Sequence, residues 1–164
     1  MIIPFDEAVI FFGPESPFSN WYKGPFVYNG LGYLTNEHFM MAKKAALFGD
    51  WVIHDKILRA KTAFSAKKLG REVMGFDEKI WSNWRMNIVG KGKLEQAKQN
   101  PIVLQAYVEN AGKTFIEASP YDLIWGIGLG ELHPGCYDTD QWLGENLLGI
   151  VNSKVAVQLK EMTS

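Results

Sequence analysis

The sequence predicts an α+β fold, mostly helical, in a single domain over residues 1–164 with one small β-sheet. Three observations lead there. The 164 residues suffice for one core, which at this size buries roughly two-thirds of the surface an unfolded chain exposes. Short apolar runs with strand character stand toward both ends, and the stretch between them repeats its apolar residues at helical spacing. The composition, 47% hydrophobic against 21% charged, excludes a disordered chain.

In chain order, Val9 to Phe12 reads as a strand. Gly13-Pro14-Glu15-Ser16-Pro17 is loop chemistry, because proline removes donors and glycine permits the reversal. Phe26 to Tyr33 is a strand pair broken by Asn29-Gly30, a dipeptide suited to a tight turn. Thr35 or Asn36 caps a helix through Glu37 to Phe48, with Gly49 as its stop. Trp51 to Ala60 and Phe64 to Met74 have helical periodicity, the second interrupted at Gly70. Ile80 to Asn100 predicts one longer helix or two abutting ones, interrupted by Gly90 and Gly92, and Pro101 suits the first turn of the next. Lys113 to Ala118 is a strand. Trp125-Gly126-Ile127-Gly128-Leu129-Gly130 fits neither helix nor ordinary strand and reads as a loop pressed against something. Trp142 to Leu148 predicts a short helix, and Val151 to Met162 a last amphipathic one.

The start, MIIPFDEAVIFFG, carries Asp6 and Glu7 and lacks the positive flank and cleavage site of a signal peptide, so it reads as a first strand. No run of about 18 apolar residues occurs, so no membrane span is expected. Cys136 is the lone cysteine; an internal disulfide is excluded and a cytoplasmic, reducing location is expected. Net charge is −1, yet it is unevenly spread. From Met41 to Arg71, Lys43, Lys44, Lys56, Arg59, Lys61, Lys67, Lys68 and Arg71 face only Asp50 and Asp55, a net +6 that leaves −7 for the remainder. That segment is either a solvated helix face or a local site for phosphate groups.

Glu37 and Lys44 lie seven residues apart, nearly two helical turns, and so share a face about 10 Å apart along the axis. Met40, Met41 and Phe48 lie on or near it. An acid and an amine on an apolar stripe need partners or a ligand; a surface pair straddling the core edge has the same spacing. Glu117 and Asp122 form a second acidic group, although Asp122 alone suits a turn cap. Trp125 beside Gly126 and Gly128 is either a core residue or an aromatic wall with glycines that let a ligand approach the backbone. His38, His54 and His133 show no metal-ligand spacing and no cysteine cluster exists, so no metal and no cofactor is expected. No GxSxG elbow or phosphate-binding loop is present. Carboxylates and an amine remain.

The words Ser16-Pro17-Phe18-Ser19-Asn20-Trp21-Tyr22 and Thr35-Asn36-Glu37-His38-Phe39-Met40-Met41-Ala42-Lys43-Lys44-Ala45 resemble the opening motifs of the NADAR (YbiA-like) family. The resemblance continues through Ala66 to Arg71, Trp81 to Arg85, Glu117 to Asp122 with Trp125-Gly126-Ile127-Gly128, and Trp142 to Gly149. It implies a YbiA-like fold and an N-glycosidase acting on a phosphorylated ribosyl or ADP-ribosyl substrate. The implied substrates are riboflavin-pathway ribosylaminopyrimidines or ADP-ribosylated guanine, the latter with ADP-ribosylated nucleic acid as a partner. It places Glu37, Lys44, Asp122 and Glu117 in catalysis. Asn20, Arg71, Trp84, Arg85, Trp125, Gly126, Gly128 and Asn146 are implied for substrate binding, with Trp84 or Trp125 stacking on the base and Arg71 and Arg85 taking phosphates. One departure is the closing segment, Val151 to Val155, where many relatives carry an arginine; Lys154 is the substitute at hand. A non-catalytic ADP-ribose or nucleotide sensor is the alternative, which would not require Glu37 and Lys44 together.

Overall fold

The computed structural model describes residues 1–164. The elements follow the order β1 (Ala8–Phe11), β2 (Phe26–Tyr28), β3 (Leu31–Tyr33), α1 (Asn36–Leu47), α2 (Trp51–Arg59), α3 (Ala63–Gly70), α4 (Glu78–Gln99), α5 (Pro101–Glu109), β4 (Thr114–Glu117) and α6 (Leu147–Thr163). The class is α+β and mostly helical. The strands form two separate pairs rather than one sheet: β1 with β4, parallel, and β2 with β3, antiparallel. The chain divides into two compact units, Asn20–Pro101 and the pair of segments Met1–Ser19 and Ile102–Ser164.

In the unit Asn20–Pro101, Asn29 and Gly30 both take positive φ and turn β2 into β3. Val27, whose outward N–H and C=O lack a strand neighbour, pairs instead with the side-chain amide of Gln99 at 2.8 and 2.9 Å. Phe26, Tyr33 and Phe39 pack their rings 5.0 to 5.7 Å apart. α1 ends where predicted: Gly49, at φ +74, donates to Ala46 O, and Asp50 N–H to Ala45 O, the paired closure of a glycine-stopped helix. α4 is a single helix running through Gly90 and Gly92. A Cβ at Gly92 would collide with Asn36 Oδ1 and the Phe39 ring, so this glycine permits close approach to α1 rather than breaking α4.

In the other unit, β1 and β4 match Ala8 to Thr114 through Phe11 to Glu117. Both faces of β4 are covered. Phe115 meets Phe18 edge to face and lies tilted against Tyr107, while Ile116 sits with Ile3, Ile127 and Cys136. Asn152, fully buried on α6, accepts from Tyr107 Oη at 2.6 Å and donates to Phe18 O at 3.0 Å. The helix predicted over Trp142 to Leu148 is absent as far as Asn146, and α6 starts at Leu147. The reason lies in the hydrogen bonds. Leu143 and Gly144 donate to Ile127 O, Glu145 to Leu123 O, Asn146 to Gly126 O, Leu147 to Ile124 O and Leu148 to Trp125 O. This segment is therefore what the glycine-rich loop is pressed against, and its N–H groups are spent there instead of on a helix of its own.

Candidate functional site

The start of α1 is held by side chains from three directions. Thr35 Oγ1 accepts from His38 N–H at 3.2 Å and lies 2.8 Å from His38 Nδ1, while His38 Nε2 meets Ala60 O at 2.9 Å. This pattern fits the neutral ring protonated at Nε2, and burial lowers the His38 pKa against the opposing pull of Ala60 O. Asn36 Nδ2 donates to Asn20 Oδ1 at 2.7 Å and to Val89 O at 3.2 Å, and Glu37 N–H donates to Asn20 O at 2.9 Å. Asn20, itself buried, therefore acts on α1 from both its backbone and its side chain. Glu37 is only 5% exposed.

Two turns further along the same helix, the half-buried Lys44 donates from Nζ to Gly70 O at 2.9 Å. Its ammonium stands 4.6 Å from the Phe76 ring centroid and 5.8 Å from that of Trp81. Burial lowers its pKa; Glu78 and then Glu37 pull it back up, and Arg71 lowers it further. The aromatic faces attract the charged form, an effect separate from the desolvation that lowers the pKa. The outcome is an amine that gives up its proton more readily than an exposed lysine, with Glu37 and Arg71 both within electrostatic reach.

Asn20, Glu37, Lys44 and Arg71 thus gather around α1 and the end of α3. Arg71 is exposed at the α3 C-terminus. On α4, Trp84 is half exposed, and Arg85 Nη1 bonds Glu78 Oε1 at 3.3 Å. Three residues to which the sequence reading gave no role in the site belong to the same unit. Phe76 and Trp81 form the aromatic surround of Lys44, and Lys93 on α4 is wholly buried. Nothing local marked Phe76 or Lys93 as site residues.

The remaining predicted residues cluster in the other unit. Glu117 closes β4; its N–H is bound by Asn146 Oδ1 at 2.9 Å, and its carbonyl accepts from Ser119 and Ile127. Asn146 is 2% exposed, adopts φ +54, and also donates from Nδ2 to Phe115 O at 3.0 Å, so both ends of its amide brace β4. Asp122 Oδ1 accepts from Ile124 N–H and Trp125 N–H, each at 2.9 Å, the turn-cap geometry, and leaves Oδ2 for other work. Trp125 is half-buried. A Cβ on Gly126 would sit 2.9 Å from Ser119 Cβ and 3.0 Å from Glu117 O, and Gly128 holds φ +76 against Leu123 and Leu143. Both glycines are required by the packing of the loop itself. Lys154 is exposed on α6.

The NADAR domain family model matches residues 10–160. The chain is 38% identical over 161 residues to an N-glycosidase of Acanthamoeba polyphaga mimivirus, covering 92% of this chain and 95% of that protein. It is 32% identical to protein irg-1 of Caenorhabditis elegans, covering 92% of this chain and 79% of the relative. A riboflavin biosynthesis protein of Vibrio vulnificus is 25% identical over 159 residues, which cover 95% of this chain but 40% of that one. Among solved structures, the NMR structure of the Escherichia coli protein YbiA superposes with a TM-score of 0.78 at 21% identity, covering 99% of this chain and 90% of that one, a likeness of fold.

Proposed function

We propose, from the premise that this chain belongs to the NADAR family, that it is an N-glycosidase hydrolysing the bond between a ribose C1′ and a base nitrogen in a phosphorylated ribosyl or ADP-ribosyl substrate. The observation that carries the reading is the pair on α1: a buried carboxyl, Glu37, and two turns away an amine, Lys44, whose proton is loosened by burial. The name of the mimivirus relative supports the bond type.

Breaking the C1′–N bond sends its electron pair to the base nitrogen, which needs a proton, and leaves positive charge on C1′ and O4′, where water adds. Glu37 supplies or accepts the proton. Where the ribose ring opens before cleavage, C1′ is doubly bonded to the base nitrogen; neutral Lys44 adds to C1′, the base leaves with a proton from Glu37, and water hydrolyses the resulting C=N bond to Lys44, giving the C1′ aldehyde and the free amine. Arg71 grips phosphate through its paired donors.

The deciding experiment incubates the protein separately with ADP-ribosylated guanosine, NAD and riboflavin-pathway ribosylaminopyrimidines and identifies the released base by mass spectrometry. Release of a free base from at least one, abolished in Glu37→Gln, is the expected result. Tight binding of ADP-ribose with no base released from any of them would make the chain a sensor instead.

A further inference from the structure

The β2–β3 hairpin has one closed edge and one open edge, and its hydrogen bonds set the difference. Val27 N–H and C=O point away from β3, to the Gln99 amide at 2.8 and 2.9 Å. In an antiparallel pair, opposed residues either bond each other twice or both point outward. Val27 stands opposite Gly32, so Gly32 N–H and C=O point outward from β3, and no group of the chain is bonded to them there. A cleft of about 510 Å³ lies over this hairpin. Gly32 and Leu34 line it with Val27 of β2, with Leu58 and Arg59 at the end of α2, and with Lys61 just beyond. Open space stands where a Gly32 side chain would be, and a glycine inside a strand lets another backbone come close. Arg59 and Lys61 are exposed, and neither takes part in an ion pair. No Asp or Glu lines the cleft.

We propose that the free edge of β3 takes up an extended acidic peptide segment of a partner protein, which adds as a third strand bonded to Gly32 N–H and C=O and sets its carboxylates on Arg59 and Lys61. In this mode main-chain bonds supply the grip, and the surrounding side chains select the sequence. A small anion would satisfy the two cations but leave the Gly32 backbone unbonded. A second copy of this chain, pairing β3 with β3, would bring two sets of Arg59 and Lys61 to one interface, and like charges set opposite each other are destabilising. The fitting segment alternates acidic with apolar residues, because every second side chain of an added strand faces the same way and the cleft is cationic at Arg59 and Lys61 but apolar at Val27 and Leu58. Binding at this edge goes beyond the glycosidase reading and does not depend on it.

The test uses the full chain and the double variant Arg59→Ser/Lys61→Ser, whose substitutions lie on the exposed surface outside the proposed catalytic group. Fluorescence anisotropy measures binding of a labelled peptide of alternating glutamate and valine, about seven residues long, and NMR hydrogen exchange follows the Gly32 amide. Wild type is expected to bind the peptide, and saturation should slow exchange at Gly32 by about 10-fold or more, because that N–H gains a bond. The double variant should bind about 10-fold more weakly or worse. The same peptide with proline in place of its central valine lacks a donor and cannot lie flat along the edge, so its binding should fall similarly. No binding by wild type, equal binding by the two proteins, or a proline peptide that binds as tightly as the original would overturn the proposal. Binding that leaves Gly32 exchanging at its free rate would reduce the contact to attraction between charges and overturn it too. Slowed exchange at Gly32 on raising the protein concentration alone would show a second copy on this edge, with the same consequence.

Discussion

At the scale of single residues, burial decides which groups have useful chemistry. Glu37 and Lys44 are separable by the damage their loss does. Glu37→Gln keeps size and hydrogen bonding but cannot ionise, so kcat should fall about 10²-fold or more with KM little changed. Lys44→Arg keeps the charge but loses the nucleophile, and should be inactive, whereas borohydride should trap a ribose adduct on wild-type Lys44. Substantial turnover in the arginine variant would reduce Lys44 to an electrostatic role. Since the neutral amine is the reactive form and its pKa is lowered, activity should rise with pH along a limb below the ordinary lysine value of about 10.4. His38 gives a pH test of stability. Its folded pKa lies below that of the unfolded chain, so the unfolded state binds more protons between the two values. Stability is then retained above about pH 6.5 and declines as pH falls through the lowered folded value. Urea titrations of His38→Gln should lack this component, and an unchanged acid limb would locate it elsewhere.

At the scale of elements, the α1–α4 contact is the one on which the candidate site most depends. Gly92 admits Asn36, which holds Asn20, which in turn accepts from Glu37 N–H. Gly92→Ala adds a methyl group into occupied space and should cost about 1–3 kcal/mol, despite the better helix propensity of alanine. Thermal unfolding should show the loss, and kcat should fall with it because the chain of contacts ends on Glu37. A gain in Tm would mean that the helices separate without penalty. The helix expected over Trp142 to Leu148 shows the same principle in reverse: a segment with local helical pattern surrenders it when its N–H groups find carbonyls on the 123–127 loop.

At the scale of the whole molecule, the NADAR match runs through both compact units, and ligand linkage provides a test that needs no assumption about mechanism. A substrate or product that binds the folded chain alone raises stability by about 2.7 kcal/mol at 100 times its Kd. Differential scanning fluorimetry with ADP-ribose and ribose 5-phosphate should therefore raise Tm, and Arg71→Ala should diminish the shift. No shift with either compound would argue against a phosphorylated ribosyl ligand. No three His, Cys, Asp or Glu side chains converge as metal donors, so base release should also persist in EDTA. Activity lost in EDTA and restored by one divalent ion would overturn that prediction.

The sequence alone determined the properties written in short-range patterns. The turn at Asn29-Gly30, a cap at Thr35 or Asn36, the Gly49 stop and the shared helical face of Glu37 and Lys44 all follow from backbone preferences and helical period, which neighbouring residues control. The mostly helical α+β class followed from the same patterns. What only the tertiary structure decided depends on groups distant in sequence. Gly92 reads as an interruption until Asn36 is placed against it, and the bracing of β4 by both ends of the Asn146 amide appears only in the fold. The strands divide into two pairs because β1 finds β4, more than a hundred residues away, while β2 has its outer edge closed by Gln99. The loosened proton of Lys44 has the same origin: Phe76, Trp81 and Gly70 O are brought to it by folding, and desolvation is a property of the assembled surroundings that no local pattern encodes.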